Sequence, residues 1–104
     1  MPMTVTVLEA HVAPERESAL QAAYGEATHG PFPHGLVRSA LLRATNDRTS
    51  WRIETIWESP EALAAMRASG GTPRGIQIFR AAGAEPTVNI LEVVATLAPS
   101  QGPV

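Results

Sequence analysis

Four stretches of this 104-residue chain alternate apolar and polar positions, and three others carry apolar residues at helical spacing. Residues 3–12, MTVTVLEAHV, are rich in Val and Thr and predict a strand. One side of it carries Val5, Val7, Glu9 and His11, and the other carries Thr6, Leu8, Ala10 and Val12. Pro14 then occupies a natural first helical position, with Glu15 and Glu17 in the positive first turn. Leu20, Ala23, Tyr24 and Ala27 follow at helical spacing, which predicts a helix over 14–28. The prolines and glycines of THGPFPHG, 28–35, end it. Residues 35–45, GLVRSALLRAT, predict a second strand, NDRTS (46–50) a hairpin loop, and WRIETIWE (51–58) a third strand. Ser59, Pro60 and Glu61 spell a helix start, with Leu63 and Met66 on its apolar side and Gly70 and Gly71 as its stop. Thr72 and Pro73 repeat that logic before a short helix carrying Ile76 and Phe79, and TVNILEVVATL (87–97) predicts the last strand.

The order is β-α-β-β-α-(α)-β. Right-handed crossovers place both long helices on one face of an antiparallel sheet. The expected fold is α+β, a ferredoxin-like βαββαβ with an extra short helix before the last strand. Its first and third strands are central and its last lies at an edge. Residues 1–98 form one domain and 99–104 a flexible tail.

The face away from the helices should be polar, as in a half-wet antiparallel sheet. It is not. Leu36, Ala40 and Leu42 are expected on one side of the second strand, Val37 and Leu41 on the other. In the last strand Val88, Ile90 and Val94 oppose Leu91, Val93, Ala95 and Leu97. Each buried Leu, Ile or Val contributes roughly 1.5–3 kcal/mol, a large share of a marginal stability of about 5–15 kcal/mol. A homodimer through the open sheet face is therefore expected.

Charge narrows the partners. All eight basic residues are Arg, they form no run, and the net charge is −2, so no nucleic-acid partner is expected. With no Cys, thiolate metal sites, disulfides and thiol nucleophiles drop out. The opening MPMTVTVLEAHV has neither a basic start nor a continuous apolar run, so no signal peptide and no membrane association are expected, and the chain is read as cytoplasmic.

The segment IWESPEALAAMRAS, in which a strand ending Trp-Glu-Ser runs into a short amphipathic helix, resembles the antibiotic biosynthesis monooxygenase (ABM) superfamily, the dimeric α+β barrel group. TVTVLEAHVAPERESALQAAY, LVRSALLRATND and NILEVV fit the same pattern, so the resemblance spans about residues 4–96. It implies paired ferredoxin-like monomers with a small-molecule pocket between helices and sheet. The haem-degrading branch uses an Asn, a Trp and a His where this chain has Ala10, Met66 and Ile76, so that chemistry is rejected. The polyketide oxygenase branch uses Asn, Trp, Tyr and Arg, types present here as Asn89, Trp51, Trp57, Tyr24 and several Arg. Many members carry an acid two residues before the Trp; here that position is Thr55.

Glu9 and His11 point the same way about 7 Å apart on one strand, and form a candidate proton-transfer pair. The other reading of the pair is an ion-paired interface with Arg. Arg38 could anchor a carboxylate or phenolate, or pair with Glu54 across the hairpin. Trp51, Trp57, Tyr24, Met66 and Phe79 are candidate substrate-binding residues, and equally candidate core. The two tryptophans sit on one strand face roughly 20 Å apart, too far for a shared cage. His29 and His34 lack a third metal ligand. Taken with these candidate residues, the resemblance implies a cofactor-independent monooxygenase of a small phenolic or enolic, polyketide-like substrate. A non-catalytic dimeric binding or scaffolding domain is the alternative, and a cyclase or isomerase of the same fold a third. No metal or other cofactor is expected. A substrate pocket of roughly 300 Å³ or more between helices and sheet, with Arg38 or His11 at its wall, would favour an enzyme; if Tyr24, Phe79 and Met66 fill that space instead, the substrate reading fails.

Overall fold

A computed structural model describes residues 3–97. The predicted order of elements is present: β1 (Thr4–His11), α1 (Glu17–Ala27), β2 (Leu36–Arg43), β3 (Ser50–Trp57), α2 (Pro60–Ala68), α3 (Arg74–Ala81) and β4 (Thr87–Glu92). A single 3-10 turn, Pro14–Arg16, leads into α1. The strands form one antiparallel sheet in the order β2-β3-β1-β4, with β1 and β3 central as expected. This is the α+β, ferredoxin-like arrangement. The expected tail at 99–104 lies outside the described residues.

Local chemistry sets the boundaries. Ser59 caps α2 by accepting from the Ala62 amide at 3.1 Å, with Pro60 at the first helical position. The start of α3 differs from its prediction: Pro73 is itself the capping residue, and no side chain satisfies that end. Two glycines permit close approaches. Gly35 has φ +87°, and any β-carbon there would collide with Ala62 of α2. Gly75 lets α3 settle directly on Leu8, which a β-carbon would strike.

Two strand expectations are corrected. Val37 is a bulge: Leu36 pairs with Trp57 and Arg38 with Ile56. The extra residue reverses the alternation, so Leu36 shares the side of Leu41 and not that of Ala40 and Leu42. The last strand stops at Glu92 and does not reach 97. Its partner runs out there, since Glu92 faces Thr4 at the start of β1, and one further bond, Val93 to the Met3 carbonyl, ends the ladder.

The core lies on the helix-facing side of the sheet. Leu8, Val12, Trp51 and Ile53 pack with Leu20 of α1 and Ile78, Phe79 and Ala82 of α3 or just beyond it. Leu20 and Phe79 have no exposed surface. The helices do not cover β4, whose six residues are all exposed. Val88 (48%) and Ile90 (47%) are wet on one side and Leu91 (53%) on the other. No helix among the described residues is long and apolar enough to cross a membrane.

Candidate functional site

Strand registers arrange the helix-facing side in rows that run across the sheet. One row is Leu41–Ile53–Leu8–Val88. Its three inner members pack in or against the core. The next row, two residues along each strand, is Ser39–Thr55–Thr6–Ile90. Three hydroxyls stand side by side there at strand spacing, about 5 Å apart. The row after that is Leu36–Trp57–Thr4–Glu92.

Side chains from both flanks complete the hydroxyl row. Tyr24 of α1 donates from Oη to Ser39 Oγ at 3.0 Å, and Thr55 Oγ1 donates to the same oxygen at 3.2 Å. Trp57 Nε1 donates to Thr6 Oγ1 at 3.3 Å. Ser39 is exposed while Tyr24, Thr55 and Thr6 are half-buried, so solvent reaches the row. Polar groups on a core face cost free energy unless they find partners. Here they bond one another, and solvent reaches the exposed Ser39. Met66 is half-buried on α2, one helical step from the buried Leu63.

The sequence-based candidates divide between the two faces of the sheet. Tyr24, Trp51, Trp57 and Phe79 lie on the helix-facing side, whereas Glu9, His11 and Arg38 lie on the open side, with the sheet between the two sets. Trp51 and Phe79 belong to the solid core. The Arg43 guanidinium stacks 5.0 Å above the Trp51 ring and bonds Glu17 at 3.3 Å, while Trp51 Nε1 is buried without a partner. Trp57 is buried beside the hydroxyl row, so the two tryptophans occupy opposite ends of β3 and share nothing.

On the open side Glu9 and His11 do not bond each other. Arg52 donates to Glu9 through Nε at 3.0 Å and through Nη2, and to Glu54 through Nη1 at 3.0 Å. Glu9 above all, and Glu54 after it, raise the Arg52 pKa. Arg52 thus takes the place expected of Arg38 beside Glu54, and Arg38 lies opposite Ile56. His11 Nδ1 sits 3.1 Å from Thr49 Oγ1 and 3.9 Å from Asp47.

Among the described residues, the surface depressions larger than roughly 300 Å³ include two that stand out; neither touches the hydroxyl row, and neither is the pocket expected between helices and sheet. One of about 450 Å³ lies on the open side around Val7, Glu9, Arg52, Glu54 and Asn89. The other, about 380 Å³, is a groove between α1 and α3 floored by Ala23, Ala27 and Ile78. Over the Ile53–Leu8 row, Phe79 and Leu20 leave no place for a ligand. Ser39, Thr55 and Thr6 were not among the sequence candidates. The available signal was a hydroxyl residue at an inward-facing position on each of three strands; Ser39 keeps the alternation of Leu41, which the bulge at Val37 leaves untouched.

Known proteins share this architecture. A candidate antibiotic biosynthesis monooxygenase from Bordetella bronchiseptica superposes with a TM-score of 0.69 at 17% identity, over 91% of this chain and 100% of that one. Another from Deinococcus radiodurans gives 0.69 at 14% identity, over 97% and 100%. SnoaB, a cofactor-independent oxygenase from Streptomyces nogalater, gives 0.60 at 19% identity, over 97% and 100%. Likeness at these identities is a likeness of fold. No curated protein matches the chain. The model of the antibiotic biosynthesis monooxygenase family matches residues 3–84, from β1 through α3, and the chain belongs to that family.

Proposed function

We propose that this protein is a monooxygenase that needs no bound cofactor and acts on a small phenolic or enolic substrate held over the hydroxyl row. The observation that carries the proposal is the solvent-reached set Tyr24, Ser39, Thr55 and Thr6 beside the apolar core on the helix-facing side. Family membership and the likeness to SnoaB support it. A phenolate or enolate can reduce O₂ itself. Oxidation of an activated methylene to a carbonyl balances without an external reductant: one oxygen atom becomes the carbonyl, and the other leaves as water with the two methylene hydrogens. The chain then has two tasks, to orient the substrate and to hydrogen-bond its anion. Trp57, which donates to Thr6, is the proposed apolar wall. Glu9, His11 and Arg38 take no part within one chain, because the sheet separates them from the row.

Oxygen uptake with a panel of phenolic substrates, without added metal or flavin, tests this reading. Uptake should require the substrate and fall in Tyr24→Phe. A second reading, a non-catalytic binding domain, is favoured because neither larger depression lies over the row. Substrate binding with no uptake across the panel would select it.

We also propose a homodimer through the open sheet face. Ile56, Leu42 and Leu91 surround the Glu9–Arg52–Glu54 cluster there, and Leu42 (40%) and Leu91 (53%) are exposed in the single chain. Light scattering should give twice the 11.0 kDa chain mass, and Leu91→Glu should lower it toward one chain.

A further inference from the structure

Charge on the open side of the sheet falls into two unlike halves. The rows that cross that side are Leu42–Arg52–Glu9–Thr87, Ala40–Glu54–Val7–Asn89 and Arg38–Ile56–Val5–Leu91. Two carboxylates and two guanidiniums stand among these apolar and neutral neighbours, but they are not paired one to one. Arg52 donates to both Glu9 and Glu54. Arg38, exposed at one corner, makes no side-chain hydrogen bond or ion pair among the described residues. Its own Glu54, diagonally across from it, is turned to Arg52 instead. One half is therefore short of a positive charge and the other short of a negative one.

The acidic half is also hollow. The depression of about 450 Å³ on this side is lined by both carboxylates, with Glu92 as a third, and by Val5, Val7 and Leu91, but not by Arg38. Within it Glu9 accepts two N–H groups from Arg52, and Glu54 accepts one. A carboxylate has about four acceptor positions, so Glu54 keeps the most room for a further guanidinium. A second copy seated on the apolar rows removes water from both halves. Each unpaired charge then costs stability, whereas a guanidinium on a carboxylate satisfies both groups. A two-fold interface makes each contact between unlike positions twice. One Arg38–Glu54 contact across it therefore answers both deficits in both copies. Registers that lay hollow on hollow set like charges together and are disfavoured.

We propose that Arg38 of one chain enters the acidic hollow of the other and pairs with Glu54 of the partner subunit, and that this contact sets the register of the two copies. The inference rests on the open-face dimer proposed above and goes beyond it. Apolar burial admits many registers, and the charge pair selects among them. The occupant is a second copy and not a small cation, because the same face carries both the surplus acid and the unpaired base.

Charge reversal tests the pair. Arg38→Glu and Glu54→Arg are made separately, and light scattering over a dilution series gives the dimer dissociation constant of the unaltered chain, of each variant alone, and of the two mixed in equal amounts. Either variant alone sets like charges together, so its dimer should weaken by about a hundredfold or more, and the particle should approach the 11.0 kDa chain mass. In the mixture each variant meets its complement, and the mass should return to twice that of the chain. Arg38 is exposed and Glu54 half-buried, so both variants should fold; circular dichroism checks this. A double-mutant cycle with the milder Arg38→Gln and Glu54→Gln is the second measurement, and the losses should not add. An unchanged dissociation constant in either reversed variant, a mixture that stays monomeric, or additive losses in the cycle would overturn the pair while leaving the dimer standing. A monomeric unaltered chain would refute the open-face dimer itself, and the pair with it.

Discussion

The two halves of the helix-facing layer differ more than their shared strands suggest. At the Trp51 end, Leu8, Ile53, Leu20 and Phe79 interdigitate and no polar side chain lies within the packed cluster apart from the orphaned indole N–H of Trp51. At the Trp57 end the same strands, two residues further along, present Ser39, Thr55 and Thr6 to solvent. Strand alternation alone would have made both halves core. The difference lies in which row the buried side chains of α1 and α3 reach, and in hydroxyls that a dry core would penalise. One half holds the fold together, and the other is free for chemistry.

Substitutions can break this contrast. The largest effect should come from the packed half: Phe79→Ala, at a site with no exposed surface, should cost about 3–5 kcal/mol in denaturant unfolding. A smaller loss, about 1–3 kcal/mol, is expected for Gly35→Ala, which pushes Ala62 and the start of α2 away from the sheet at the Trp57 end and forces a positive φ. Thr55→Val should change stability by less than about 1 kcal/mol, since it replaces a half-buried hydroxyl by an apolar group of the same shape. It should nevertheless lower substrate-dependent oxygen uptake by about tenfold or more. A stability loss in Thr55→Val as large as that of Phe79→Ala would make the hydroxyl row core and erase the distinction.

The smallest expected effect is electrostatic and falls at the Trp51 end. Hydrogen bonds from the Thr49 side chain and amide, with a lesser contribution from His11, hold the Asp47 carboxyl below its ordinary 3.8. A depressed folded pKa means stability that is present above the unfolded value and lost as pH falls through the folded one. Acid below about pH 3.8 should therefore loosen the β2–β3 hairpin, and Asp47→Asn should flatten that slope in thermal melts. The hydroxyls of the row do not titrate there.

Much of the architecture was legible from residue pattern. Ser59 and Pro60 announced α2, and alternation marked the four strands. The face assignment of Leu36 was not legible, because a bulge leaves no signature in alternation until the register is known. Nor was the end of β4, whose apolar residues continue past its partner strand. The site was harder still. Charged and aromatic side chains drew attention to Glu9, His11 and Arg38, which the fold turns to the open side. Ser and Thr carry little signal singly. They become a site only when three strands align them, which is a property of register.

The claim that the hydroxyl row is the ligand site is tested most directly by backbone amide NMR shifts during titration with a phenolic probe. The account predicts that the largest shifts cluster at Ser39, Thr55, Thr6 and Tyr24, with Leu8 and Ile53 little moved. Shifts centred on Val7, Glu9, Arg52 and Asn89, or on the groove between α1 and α3, would contradict it.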